Sequence, residues 1–182
     1  MSLRLFAALE IPEDVCLRLM AMQRGVGGAR WSPRENLHLT LCFFGEMAEP
    51  QAEDLDLALT EEAMGRAPFD IFLKGAGFFG RDEPHTLYIG VAENAALRAL
   101  AADCERAARR IGLKPEGRKF TPHVTLAKLS YPDLQTITAF EQGHSLFESR
   151  VWSVKRFGLF SSQMRRSAPS LYRLETEYEF SA

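Results

Sequence analysis

Two short runs carry residue types suited to proton transfer. His38-Leu39-Thr40-Leu41 and His123-Val124-Thr125-Leu126 repeat one pattern of histidine, apolar residue, threonine and leucine. The chain holds four histidines, and two of them open such a run. Each run lies in an apolar stretch that reads as a β-strand. Strand side chains alternate between faces, so His38 and Thr40 share one face while Leu39 and Leu41 share the other. His123 and Thr125 stand in the same relation to Val124 and Leu126. Each run thus offers one imidazole and one hydroxyl, anchored by apolar neighbours. Histidine has an unperturbed pKa of about 6.5 and can act as acid or base near neutral pH. Two such pairs around one small anion would form a set of groups suited to phosphate-ester chemistry.

A lone strand histidine is most often structural, and a lone strand threonine is often a plain β-former. A structural histidine has no need of a threonine two residues on, twice over. The threonine hydroxyls can donate to phosphoryl oxygens as charge builds. Other chemistries lack their patterns. No HxH, HExxH or paired-cysteine spacing marks a metal site, and no GxSxG elbow marks a serine triad. Gly75, Gly77 and Gly80 lack the spacing and Lys-Ser/Thr ending of a P-loop. His85 and His144 stand outside the runs and read as surface residues.

Basic and aromatic residues flank both runs. Arg118, Lys119 and Phe120 precede the second, and Lys128 follows it. In a regular strand Lys128, five residues on, would face away from His123. Arg30, Arg34, Arg165 and Arg166 fall in expected loops, where charge is usually just solvated. Together they could form a local patch for an RNA backbone. Of Trp31, Phe43, Phe44 and Phe120, most are expected in the core and one could stack on a base.

The elements that must hold these residues follow from periodicity. Strands are expected over 4–11, 37–44, 69–73, 86–91, 151–160 and 171–180, and around the second run. Gly45 is expected to stop the second strand, and Gly75, Gly77 and Gly80 to make a glycine-rich stretch after the third. Helices are expected over 12–25, 50–64 and 93–111, with a short one possible over 133–142. In the first helix Val15, Leu17, Met20 and Met22 are the expected core positions. Each run follows a helix and a proline-containing turn, as in a diverged duplication. This pattern predicts an α+β fold with two antiparallel sheets, outer helices and a cleft between them.

Composition sets limits. The 182 residues fit one domain, or two small lobes sharing a core. Hydrophobic content of 46% and charged content of 25% are ordinary for a globular chain and argue against disorder. A formal net charge of −2 gives no global pull toward nucleic acid. Cys16, Cys42 and Cys104 are odd in number and widely spaced, which fits reduced thiols in a cytoplasmic protein. Neither a leader peptide nor a membrane span is expected.

The chain resembles the 2H phosphoesterase superfamily, and within it the RNA 2′,3′-cyclic phosphodiesterases, also called 2′-5′ RNA ligases. The segments WSPRENLHLTLCFFGE (31–46) and FTPHVTLAK (120–128) carry the resemblance, with RLFAAL (4–9), LFSS (159–162) and LYRL (171–174). It implies a bilobal, pseudo-symmetric fold over residues 1–182, with both runs facing a central groove. It implies hydrolysis of a terminal 2′,3′-cyclic phosphate on RNA to a 2′-phosphate, with neither metal nor other cofactor. His123 would be the general base, His38 the general acid, and Thr40 and Thr125 the phosphoryl ligands. Arg118, Lys119, Phe120, Lys128 and Phe43 are the candidate substrate contacts, and a monomer is expected. Cys42 and Lys128 stand where relatives often carry other residues, arginine at the second. A lysine there loses the bidentate fork. Three other readings use the same residues: 2′-5′ ligation, the reverse reaction; a non-catalytic RNA- or nucleotide-binding module; and a phosphodiesterase acting on small cyclic phosphates rather than RNA ends.

Overall fold

The computed structural model describes residues 2–115, 117, 119–165 and 169–182. In chain order the first elements are β1 (Ser2–Glu10), α1 (Glu13–Ala21), β2 (Ala29–Trp31), β3 (His38–Ala48) and α2 (Glu49–Ala63). Next come β4 (Phe69–Ile71), β5 (Leu73–Phe79), β6 (Thr86–Val91), α3 (Ala95–Arg110) and β7 (His123–Leu129). The chain closes with α4 (Leu134–Gly143), β8 (Trp152–Val154), β9 (Arg156–Gln163) and β10 (Leu171–Glu179).

The fold is α+β and its sheets are antiparallel throughout. One half orders β10-β9-β1-β3. The other contains β5, β6 and β7, with β2 on the free edge of β7. The halves meet through β3 and β7, at the single pair Leu39–Val124. A small ribbon of β4 and β8 lies apart. Helices α2 and α3 pack on each other, α2 touches β10, α3 touches β3, and α4 lies against β5.

Alternation sets the two faces. Leu5, Ala7, Leu9, Leu39, Leu41, Val124 and Leu126 are buried with Leu97, Leu100 and Cys104 of α3. His38, Thr40, His123 and Thr125 are half-buried on the opposite face. The fourth residue of each run then breaks the count. Ala8 pairs with Thr40 and Ala7 with Cys42, so Leu41 is skipped. Tyr88 pairs with Thr125 and Leu87 with Ala127, so Leu126 is skipped. Both leucines are thus the extra residue of a β-bulge, at equivalent places in the two halves.

The bulges correct one expectation. Beyond Leu126 the inward set changes parity: Ala127 and Leu129 are buried and Lys128 is exposed. Lys128 therefore returns to the face of His123 and does not point away from it. Three other expectations change. Gly45 does not end β3; with φ of +84° it follows a second skipped residue, Phe44, and the strand runs on to Ala48. The strand expected over 69–73 splits into β4 and β5, and β5 takes in Gly75 and Gly77 of the glycine-rich stretch, where Gly77 leaves room for the Tyr88 ring. In α1 the core positions are Val15, Cys16 and Leu19, while Leu17 and Met20 are 55% and 39% exposed. Val15 and Leu19, four apart, define the buried stripe, and Leu17 lies about 200° round the axis from Val15.

Leu39 holds the junction and is fully buried. Leu39→Ala should lower unfolding free energy by about 2–5 kcal/mol, the range for a core leucine that leaves a cavity. Urea denaturation will measure this, and a loss below about 1 kcal/mol would mean the junction is not tightly packed.

Candidate active site

The Leu39–Val124 pair places the two runs side by side on antiparallel strands. Antiparallel register carried one residue either way sets His38 across from Thr125 and Thr40 across from His123. All four then share one face.

Each histidine is held from behind by its own chain. His123 Nδ1 donates to the Thr121 carbonyl oxygen at 2.7 Å. A carbonyl only accepts, so Nδ1 carries the proton and the neutral ring keeps its lone pair on Nε2. His38 makes the matching bond to the carbonyl of Asn36, also two residues upstream. The short 3₁₀ turn Arg34–Asn36 and the Thr121-Pro122 dipeptide, which precede the two strands, supply these carbonyls.

Aromatic rings enclose both imidazoles. His38 lies 5.0 Å from Phe6 and 5.1 Å, edge-on, from Tyr172, ring centre to ring centre. Phe160 stacks on Phe6 at 5.5 Å. His123 lies 4.8 Å from Phe79 and 5.4 Å from Tyr88. Burial therefore dominates both titrations. It pushes the His38 pKa down to about 4; the Asn36 carbonyl opposes this and the His123 charge adds to it. Burial also lowers His123, against the Thr121 carbonyl and with help from the Lys128 charge.

A cavity of about 480 Å³ opens beside His123 and Thr40, with Phe43, Lys119, Phe120 and His85 on its walls. A smaller one of about 150 Å³ adjoins His38, Tyr172 and Arg34. A larger cavity of about 610 Å³ lies against β8 and β9 and contains neither run, so size does not mark this site.

The expected substrate contacts distribute unevenly. Phe43 is 48% exposed, packs on Phe6 at 5.5 Å and opens into the cavity. Lys119 and Phe120 line the same cavity. Arg98 pins their loop, donating from Nη1 to the Phe120 carbonyl at 3.1 Å while paired with Glu93. Lys128 shares the histidine face, as above. Arg118 and Arg166 lie outside the described residues. Arg34 is paired with Glu13, and Arg165 donates to the Pro169 carbonyl. Phe44 is buried, and Trp31 packs on Phe140 of α4.

Sequence reasoning missed the enclosing rings Phe6, Phe79, Tyr88 and Tyr172, which come from four other strand regions. It also placed His85 at an uninvolved surface; His85 is exposed but shares a cavity with His123. Its position after Pro84 in a turn held no signal of this. Among the described residues no group of three or more His, Cys, Asp or Glu gathers to hold a metal ion. No described helix is long and apolar enough to cross a membrane.

A family model, the 2′-5′ RNA ligase superfamily, matches residues 11–165. The chain is 32% identical to an RNA 2′,3′-cyclic phosphodiesterase of Thermus thermophilus over 183 residues, 95% of this chain and 88% of that one. A protein of the same name from Aquifex aeolicus is 30% identical over 174 residues, 94% and 88% of the two chains. The fold superposes on the crystal structure of a Thermus thermophilus protein with a TM-score of 0.83 and 25% identity, covering 97% of each chain. It superposes on E. coli LigT complexed with 3′-AMP with a TM-score of 0.78 and 21% identity, covering both chains fully. The fold is that of a 2H phosphoesterase. The chain belongs to the 2′-5′ RNA ligase superfamily and is an enzyme of that group.

Two measurements test the electrostatics. Imidazole NMR titration of the free protein should find both cleft histidines below 6.5, with His38 the lower, near 4. Because folding lowers the His38 pKa, its contribution to stability is full above 6.5 and is lost as pH falls from 6.5 toward 4. His38→Gln should flatten that acid loss by roughly 1–3 kcal/mol, a range that discounts the ring's partial exposure. An unchanged pH profile in the variant would mean that burial does not hold His38 neutral.

Proposed function

We propose that the chain hydrolyses the terminal 2′,3′-cyclic phosphate of RNA to a 2′-phosphate, with His123 and His38 moving the protons. The observation that carries this is the Leu39–Val124 junction, which sets two His-x-Thr units on one face from opposite halves. The names of relatives about 30% identical over nearly the whole chain supply the substrate class. Neither half holds both proton-transfer groups, so the two act as one domain and the enzyme works as a monomer.

The chemistry follows from in-line displacement. His123, neutral with its lone pair on Nε2, takes a proton from water as the water oxygen bonds to phosphorus. The phosphorus–O3′ bond breaks on the far side, and the departing O3′ takes a proton from His38. The product is a 2′-phosphomonoester beside a free 3′-hydroxyl. Thr40 and Thr125 donate to the two non-bridging oxygens, where charge grows. Phe43 and Phe120 offer faces for a base, Lys119 offers positive charge on the same cavity wall, and Lys128 offers it from the histidine face of β7. No step requires a metal or other cofactor. Ligation follows the same path with an RNA 5′-hydroxyl in place of water as nucleophile, and water at its bulk concentration favours hydrolysis.

The acid role sets a requirement. At about 4, His38 in the empty cleft is almost wholly neutral at pH 7. The phosphodiester carries the missing charge. An anion between the imidazoles favours the protonated ring and raises its pKa. Rate profiles separate the two states, since kcat/KM reports the free enzyme and kcat the bound one. Both should be bell-shaped, and the basic limb should lie at higher pH in kcat than in kcat/KM. A kcat profile without a basic limb, where chemistry limits the rate, would remove His38 as the acid.

Phosphorus NMR will test the reaction directly. A short RNA ending in a 2′,3′-cyclic phosphate, incubated with the protein and EDTA, should convert to the 2′-phosphate. His38→Ala and His123→Ala should each lower the rate by about 10²–10⁴-fold, the usual contribution of a general acid or base. An unchanged cyclic signal with RNA bound would favour the binding-module reading. Activity that survives either substitution would overturn the assignment.

A further inference from the structure

Behind His85, which lines the cavity beside His123, lies a hydroxyl that neither run supplies. Thr86 opens β6 and is 2% exposed, one of two buried polar residues among those described. Its Oγ1 lies 3.0 Å from Lys128 Nζ and 3.0 Å from His85 Nδ1. An ammonium only donates, so Oγ1 accepts from Lys128. The single hydroxyl proton is then free to point at His85 Nδ1. That arrangement satisfies the buried oxygen in both directions and leaves the His85 N–H on Nε2. The chain Lys128→Thr86→His85 is directional, and each bond polarises the next.

Register places these groups. Lys128 pairs with Thr86 on β6 and with Arg30 on β2, giving a row of Arg30, Lys128 and Thr86 across three strands. Arg30 and Lys128 are like charges directly opposite, which is unfavourable by itself. Neither pairs with a carboxylate among the described residues. The Leu126 bulge turns Lys128 to the histidine face, and its charge reaches His123. A lysine is a point charge on a flexible stem and lacks the planar fork that orients arginine. Its head group needs an external anchor to act at a defined place, and Thr86 is that anchor.

We propose that Thr86 is a positioning residue that holds the Lys128 ammonium, with His85 Nε2–H beside it, as a wall for the phosphoryl group of the substrate. Resting on the phosphodiesterase reading, this adds Thr86 and His85 to the site and names a phosphate mono- or diester as the group they serve. Arg30 completes the positive row and offsets nothing until an anion arrives.

The test compares Thr86→Val, Thr86→Ser, Lys128→Met and the Thr86→Val/Lys128→Met double variant in the full chain. Valine keeps the branched shape and removes the hydroxyl. Thr86→Val should raise KM for the cyclic-phosphate RNA about tenfold, the worth of one hydrogen bond to a charged group, and change kcat far less. Thr86→Ser should restore KM. On the Lys128→Met background Thr86→Val should add far less than it does in the parent, because most of its effect passes through the one ammonium. The second readout needs no substrate turnover. His38, His85, Tyr88, Arg98, Glu105, Lys119 and Lys128 are the charged or titratable groups facing His123 or its cavity, and Thr86→Val releases two of them, Lys128 and His85, of which only Lys128 carries a charge that lowers the His123 pKa. The His123 pKa, read by NMR in the free protein, should therefore rise in Thr86→Val and return in Thr86→Ser. Affinity for inorganic phosphate, followed on the same resonance, should fall in parallel. Independent, multiplying effects of the two single substitutions would overturn the proposal. So would an unmoved His123 pKa, or a loss confined to thermal stability. If the parent protein does not hydrolyse the RNA, the reaction reading fails, and the His123 pKa and phosphate affinity still decide the role of Thr86.

Discussion

One backbone pair, Leu39 with Val124, connects the two halves of the sheet, and the site depends on its register. Side chains alternate with a period of two, so a slip of one residue would turn one whole run over. His38 or His123 would then enter the core and a leucine or valine would take its place in the cleft. The slip is opposed by Leu39, Leu41, Val124 and Leu126, all buried beneath the junction. Their burial fixes which face the histidines take. The bulge at each run's final leucine then ends the regular alternation, and the bulge in β7 brings Lys128 back to the histidine side. A packing requirement and a local irregularity together give the site its constellation of groups.

The cleft balances desolvation against charge. Phe6, Tyr172, Phe79 and Tyr88 pack edge-on or tilted around the imidazoles and strip water from them, which keeps both rings neutral while the cleft is empty. In the proposed reaction a neutral His123 would be ready to accept a proton, and a neutral His38 would not be ready to give one. A bound phosphodiester would supply the opposing charge at the place where the proposed acid needs it. On that proposal the site is complementary to an anion in both charge and protonation, and the acid becomes competent as the substrate arrives. The carbonyls of Asn36 and Thr121 keep each ring oriented through this change.

Much of this was legible in the sequence. The doubled His-x-Thr-Leu pattern exposed two equivalent strands, their inward and outward faces, and the four side chains of the proposed chemistry. The helices announced themselves through apolar spacing, and the structure adds the cap of α3 at Asn94, whose side chain accepts from the Leu97 amide. Local errors came where local rules conflict. Gly45 and the 75–80 stretch look like breaks, because glycine is usually costly inside strands. Here the glycines serve a bulge and the close approach of the Tyr88 ring. In α1, Leu17 and Met20 have core-like side chains, yet the helix turns them outward.

The sequence by itself determined the His-x-Thr pairs for which reaction is proposed, because a period of two ties each histidine to its threonine without reference to anything distant. It also determined the fold class, through the order and periodicity of its elements. Only the tertiary structure decided which rings enclose the histidines, that His85 and Thr86 belong beside Lys128, and which way Lys128 faces. Those relations join residues far apart in the chain through strand register and bulge position. Both emerge from packing the whole core at once, and no local window of residues contains them.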